Sequence, residues 1–120
     1  MICHQIGSTT EIDLGGSVLF LEDVGESLYQ LDRMLWQLKR AEKLKSLAGL
    51  LLGGFTEMKD QEPSFGFDAN QIIDQITADL TIPVAFNWPT GHQPQNIALI
   101  QAASVELEVN ADGASLRYTD

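Results

Sequence analysis

Hydrophobic positions along this chain fall into blocks of different spacing, and each block predicts an element. Val18 to Leu21 is an uninterrupted apolar run that meets Glu22 and Asp23, the pattern of a short strand covered on both faces. From Ser27 to Leu44 the spacing changes. Leu28, Leu31, Met34, Leu35, Leu38, Ala41 and Leu44 recur every three or four residues and predict one amphipathic helix. Ser27 with Gln30 predicts a capping box at its start, and Gly25 a sharp turn before it. Residues 48–56, AGLLLGGFT, predict a second buried strand that runs into a glycine pair, and the polar stretch 57–68 a surface loop. Asp68 predicts the cap of a second helix, whose Ile72, Ile73, Ile76 and Leu80 share one face. IPVAFN, 82–87, predicts a third strand, followed by the loop WPTGHQPQ.

The end of the chain is patterned differently. In SVELEVN, 104–110, Val105, Leu107 and Val109 alternate with Glu106 and Glu108, as in a half-exposed antiparallel strand. NADG supplies a turn and ASLRYT the returning partner. Residues 1–17 lack a clean period and read as a connecting segment with one short helical or extended piece at Met1 to Ile6. The expected fold class is α/β: a small parallel sheet with two covering helices plus an antiparallel β layer, a swivelling β/β/α-like arrangement.

Charge and composition then narrow the function. The net charge of −10, from 17 acidic and 7 basic residues, argues against nucleic acid or an anionic membrane as partner. Arg33, Lys39, Arg40, Lys43 and Lys45 cluster on the first predicted helix, where a solvated face with cations near the C-terminal end explains them. The one cysteine, Cys3, excludes an internal disulfide and fits a reducing compartment. Its neighbour His4 adds no spaced ligand cluster, so no metal site and no cofactor are expected.

Chemistry in a parallel α/β sheet gathers at the carboxyl ends of the strands. Three such ends are EDVGE, GGFT and NWPTGH, which bring Glu22 and His92 to one edge although they lie seventy positions apart. A carboxylate that holds a histidine by Nδ1–H is the acid–base half of a hydrolase triad. On spacing alone the signal is weak: a lone histidine in a loop is more often structural or simply exposed, and a carboxylate at a strand end more often caps the following helix, as Asp23 or Glu26 could.

VLFLEDVGESLYQLDRMLWQLKRAEKL, GLLLGGFT and IPVAFNWPTGHQPQNIALI, in that order, resemble the C-terminal domain of the LD-carboxypeptidases. That serine peptidase family also includes microcin-immunity peptidases. The resemblance implies that residues 1–17 are a linker after an absent N-terminal domain and that 18–120 form the C-terminal domain. It implies catalytic roles for Glu22, the first acid of the LED segment, and for His92, after Gly91. Trp88, Thr90 and Gly91 become substrate-pocket candidates, and Asp32 with Arg33 structural or interface residues. Ser27, Gln30, Thr90 and Gln101 depart from the family's usual residues.

In the family the nucleophilic serine comes from an amidotransferase-like N-terminal domain. None of the seven serines here sits in a Gly-x-Ser-x-Gly turn. The resemblance therefore implies a cytoplasmic enzyme of peptidoglycan recycling whose substrate is a murein peptide, with the serine-bearing domain as partner, homodimerisation as an option, and the isolated chain inactive. Two alternatives stand beside it: a microcin-immunity-type amide hydrolase, and a stand-alone, non-catalytic binding or dimerisation module.

Overall fold

The computed structural model describes residues 1–119. Its elements follow the order α1 (Ile2–Gln5), β1 (Val18–Val24), α2 (Leu28–Arg40), β2 (Gly49–Thr56), α3 (Ala69–Thr77), β3 (Val84–Ala85), β4 (Val105–Asn110) and β5 (Gly113–Tyr118). The first three strands form a parallel sheet ordered β1-β2-β3, and β4 with β5 forms a separate antiparallel hairpin. The α/β arrangement expected from the hydrophobic pattern is the one observed.

The core is built where the two helical stripes meet the central strand. Leu31, Leu35 and Leu38 of α2 and Ile72, Ile73 and Ile76 of α3 are buried with Leu50 and Leu52 of β2. The opposite side of α2 is solvated, and Lys39 and Arg40 lie over the half-exposed ring of Trp36, 5.5 and 5.7 Å from its centroid. Leu107 of the hairpin packs so close to Gly49 that a Cβ there would lie 2.8 Å from its Cδ2. Cys3 on α1 is buried against α2, with Sγ 3.4 Å from the Met34 carbonyl, and burial pushes its thiol pKa up. Among the described residues no helix is long and apolar enough to cross a membrane.

Several features differ from expectation: β1 continues past Leu21 to Val24, so Glu22 and Asp23 lie within the strand, and three other differences have local reasons. The first helix stops at Arg40 rather than Leu44. Glu42 adopts φ 58°, its N–H bonds the Lys39 carbonyl, and the Lys43 N–H bonds the Leu38 carbonyl, a Schellman closure. Leu44 continues the stripe because it is buried just beyond that closure. The expected Ser27–Gln30 capping box is absent, since Ser27 makes no side-chain cap bond. Backbone takes over: the Lys59 carbonyl accepts the Leu28 N–H at 2.9 Å, while the Lys59 N–H bonds the Glu26 carbonyl. The third strand shrinks to Val84–Ala85, because Pro83 has no N–H and Asn87 turns the chain at φ 55°.

The second helix begins as the sequence indicates, although it ends at Thr77 before Leu80. Asp68 Oδ1 accepts the Gln71 N–H at 2.8 Å and Gln71 Oε1 accepts the Asp68 N–H at 2.9 Å, a complete capping box. Asp68→Ala is expected to destabilise the domain by about 1 kcal/mol, read as a lower urea midpoint with unchanged slope.

Candidate active site

The glycine pair of β2 shapes the sheet edge that carries the candidate residues. Leu21 pairs with Leu52 and Asp23 with Phe55, so two residues, Gly53 and Gly54, stand opposite Glu22 alone. This bulge shifts the register at the strand end that carries the carboxylate. The glycines are also a matter of space. A Cβ on Gly53 would lie 2.5 Å from the Thr90 carbonyl oxygen and 2.9 Å from the Phe20 ring, and one on Gly54 3.0 Å from the Gln93 side chain. The bare backbone lets the loop after β3 lie directly against β2.

That loop is tied down along its length. The Trp88 N–H bonds the Leu52 carbonyl at 2.7 Å and the Gly54 N–H bonds the Thr90 carbonyl at 3.3 Å. Gln93 Nε2 donates back to the Trp88 and Thr90 carbonyls at 2.8 and 3.0 Å. Asn96 Oδ1 accepts the Gly91 N–H, and Thr56 Oγ1 donates to the His92 carbonyl. The loop thus presents the imidazole from a hydrogen-bonded frame.

Glu22 and His92 meet at this edge. His92 Nδ1 lies 2.9 Å from Glu22 Oε2, and the His92 backbone N–H approaches the same oxygen at 3.4 Å. The glutamate side chain is 24% exposed and the imidazole 63%, so the carboxylate is sheltered while the ring looks outward. With Nδ1 engaged, Nε2 is the nitrogen left to act, and among the described residues it has no hydrogen-bond partner. The hydrogen bond to Glu22 raises the His92 pKa above the ordinary imidazole value, reinforced by the charge of Glu22 and, more weakly, of Asp23 and Glu57. The stabilisation from this pairing is complete below the ordinary pKa and is lost as pH climbs through the raised one. Glu22→Gln is expected to bring the His92 titration back toward the ordinary value, followed by NMR of the ring protons. An unmoved titration would contradict the contact.

The other candidates take distinct places. Gly91 holds φ 111° against the carboxylate, and a Cβ there would lie 2.7 Å from Glu22 Oε2. Thr90 is buried, with its hydroxyl donated to the Ile97 carbonyl at 2.6 Å. Trp88 is half-buried, and its indole Nε1 is enclosed without a partner among the described residues. Sequence reasoning missed Gly53, Thr56, Gln93 and Asn96. The glycine pair after an apolar strand was the one available signal for them, because the others act through loop geometry that no periodicity reveals.

The family model described as the LD-carboxypeptidase C-terminal domain matches residues 1–107. The chain belongs to the LD-carboxypeptidase family. Among curated relatives, this LD-carboxypeptidase domain is 36% identical over 95 residues to the murein tetrapeptide carboxypeptidase of Pseudomonas aeruginosa, covering 79% of the chain and 30% of that protein. It superposes on the crystal structure of a muramoyltetrapeptide carboxypeptidase from Oxalobacter formigenes with a TM-score of 0.87 and 32% identity, covering 100% of the chain and 42% of the other. The microcin C7 self immunity protein shares the fold at a TM-score of 0.64 and 18% identity, over 77% of the chain and 28% of that protein. The LD-carboxypeptidase domain spans about a third of the length of the curated relatives it matches.

Proposed function

We propose that this domain supplies the acid–base half of a Ser-His-Glu triad in a serine-type LD-carboxypeptidase. In this reading Glu22 fixes the imidazole tautomer through Nδ1–H and steadies the imidazolium that forms in the transition state. His92 Nε2 removes the proton from a serine hydroxyl and later returns it to the leaving amine. The serine belongs to an amidotransferase-like domain elsewhere in the parent protein, and the substrate is a cytoplasmic murein tetrapeptide whose terminal D-alanine is released during peptidoglycan recycling. The single observation that carries the proposal is the 2.9 Å contact between His92 Nδ1 and Glu22 Oε2, which leaves Nε2 facing outward.

The domain alone, on this reading, hydrolyses nothing. The deciding experiment is an assay of the full-length parent on a murein tetrapeptide and on an aminoacyl sulfamoyl nucleotide. Release of D-alanine from the first and no cleavage of the second is the expected result. Selective cleavage of the nucleotide would assign the immunity-type amide hydrolysis instead, and inertness toward both would favour a non-catalytic module.

A further inference from the structure

The imidazole of His92 is mostly exposed, so its direction depends on Glu22 and on the main chain that carries it. One side chain gathers that main chain. Gln93 Nε2 donates to the Trp88 carbonyl at 2.8 Å and to the Thr90 carbonyl at 3.0 Å. Both partners are acceptors, so only the amino end of the amide can face them. The two bonds bracket Pro89, which has no N–H of its own to tie the loop. The Gln93 backbone N–H bonds the Gly91 carbonyl at 2.9 Å. Each of these bonds closes a ring of main chain that contains His92.

The amide also has a seat made for it. A Cβ on Gly54 would lie 3.0 Å from Gln93 Oε1, 3.1 Å from Cδ and 3.4 Å from Nε2, so its three nearest neighbours all belong to this amide. At Gly53, the residue before, the Thr90 carbonyl fills the space of a Cβ. One glycine of the pair thus makes room for a carbonyl, and the other for the side chain that bonds it. With the Gly54 N–H at 3.3 Å, the Thr90 carbonyl has two donors, as many as its lone pairs accept.

We propose that Gln93 is a positioning residue: its amide, seated on Gly54, holds the loop where His92 Nδ1 meets Glu22 and Nε2 stays free to act. Gln93 makes no side-chain hydrogen bond to Glu22 or to the imidazole, so it acts through the loop alone. The proposal rests on the reading above that His92 is the general base. Without the amide, the Trp88 and Thr90 carbonyls lose a donor and the loop between them is free to lift from β2. A displacement of about 1 Å at a reacting group is enough to lower a rate by orders of magnitude.

The nitrogen shifts of the His92 ring, read by NMR in this 120-residue chain, test the proposal. Neutral His92 in the unmodified chain is expected to carry its proton on Nδ1, where Glu22 accepts it. In Gln93→Ala the Nε2–H tautomer is expected to become the major form. The titration should fall toward the ordinary imidazole value, since Asp23 and Glu57 supply only a weaker attraction. Gly54→Ala is expected to act in the same direction by crowding the amide, and to add nothing in the Gln93→Ala background, where the crowded atoms are gone. Asp68→Ala, which weakens the fold at α3, should leave the tautomer as it was. In the full-length parent, Gln93→Ala is expected to lower kcat roughly tenfold or more with KM within about twofold. A single Nδ1–H tautomer with an unmoved titration in Gln93→Ala overturns the proposal. So does an equal tautomer change in Asp68→Ala, which would make the effect one of stability, and so does an additive effect of Gln93→Ala and Gly54→Ala. A parent whose hydrolysis survives loss of His92 would remove the triad reading and leave the tautomer change in place, so the two can fail separately.

Discussion

His92→Ala in the full-length parent is expected to lower kcat by roughly 10³-fold or more, with a much smaller change in KM. The imidazole is 63% exposed and bonds Glu22 through Nδ1, so its side chain contributes little to the core. Its removal therefore tests chemistry rather than folding. On the proposed triad, the proton of the attacking hydroxyl loses its acceptor and the leaving amine its donor, both in the transition state, while contacts that hold the resting substrate remain. Steady-state kinetics on a murein tetrapeptide read the effect directly. Turnover within about tenfold of the unmodified enzyme would remove His92 from the mechanism, since triad members ordinarily cost far more.

Gly91→Ala is expected to break the Glu22–His92 pair without touching either residue. Gly91 holds φ 111°, a conformation that an alanine adopts only with strain, costing on the order of 1–3 kcal/mol. The added Cβ would also lie 2.7 Å from Glu22 Oε2 and 3.1 Å from both Cδ and Cγ of the same side chain. Either the carboxylate withdraws or the loop lifts, and each opens the 2.9 Å contact. Two measurements should move together: the denaturant midpoint falls, and the His92 titration drops toward the ordinary imidazole value. In the parent, kcat should fall along with them. A stable variant with an unshifted titration would show that the loop accommodates a side chain where the geometry has no room for one.

Both expectations depend on a loop whose importance was only partly visible beforehand. GH in WPTGHQPQ marks a histidine next to a flexible residue, and that much is legible from residue types. The partners that hold the loop are not. Gln93 reaches carbonyls of Trp88 and Thr90, Thr56 bonds the His92 carbonyl, and Asn96 takes the Gly91 N–H. Polar residues in a loop read as solvated until the backbone groups that they satisfy are known. The same limit explains the helix start at Ser27. Its side chain had a ready local use, yet the Lys59 carbonyl, from a loop more than thirty residues later, accepts the Leu28 N–H instead.

By itself the sequence determined which segments are buried and with what period. The stripe of α2, the apolar run of β2, the capping box of α3 and the alternation of β4 follow from local spacing, because burial of one face is a local requirement. It also marked Glu22 and His92 as candidates, by strand-end logic and by family resemblance. Tertiary structure alone decided how they meet. The two-against-one bulge at Gly53 and Gly54 and the entry of the Thr90 carbonyl into the space that a Cβ would fill both depend on which backbones lie side by side. Strand neighbours and close backbone approaches are set by long-range packing, and neighbouring residues in the sequence carry no record of them.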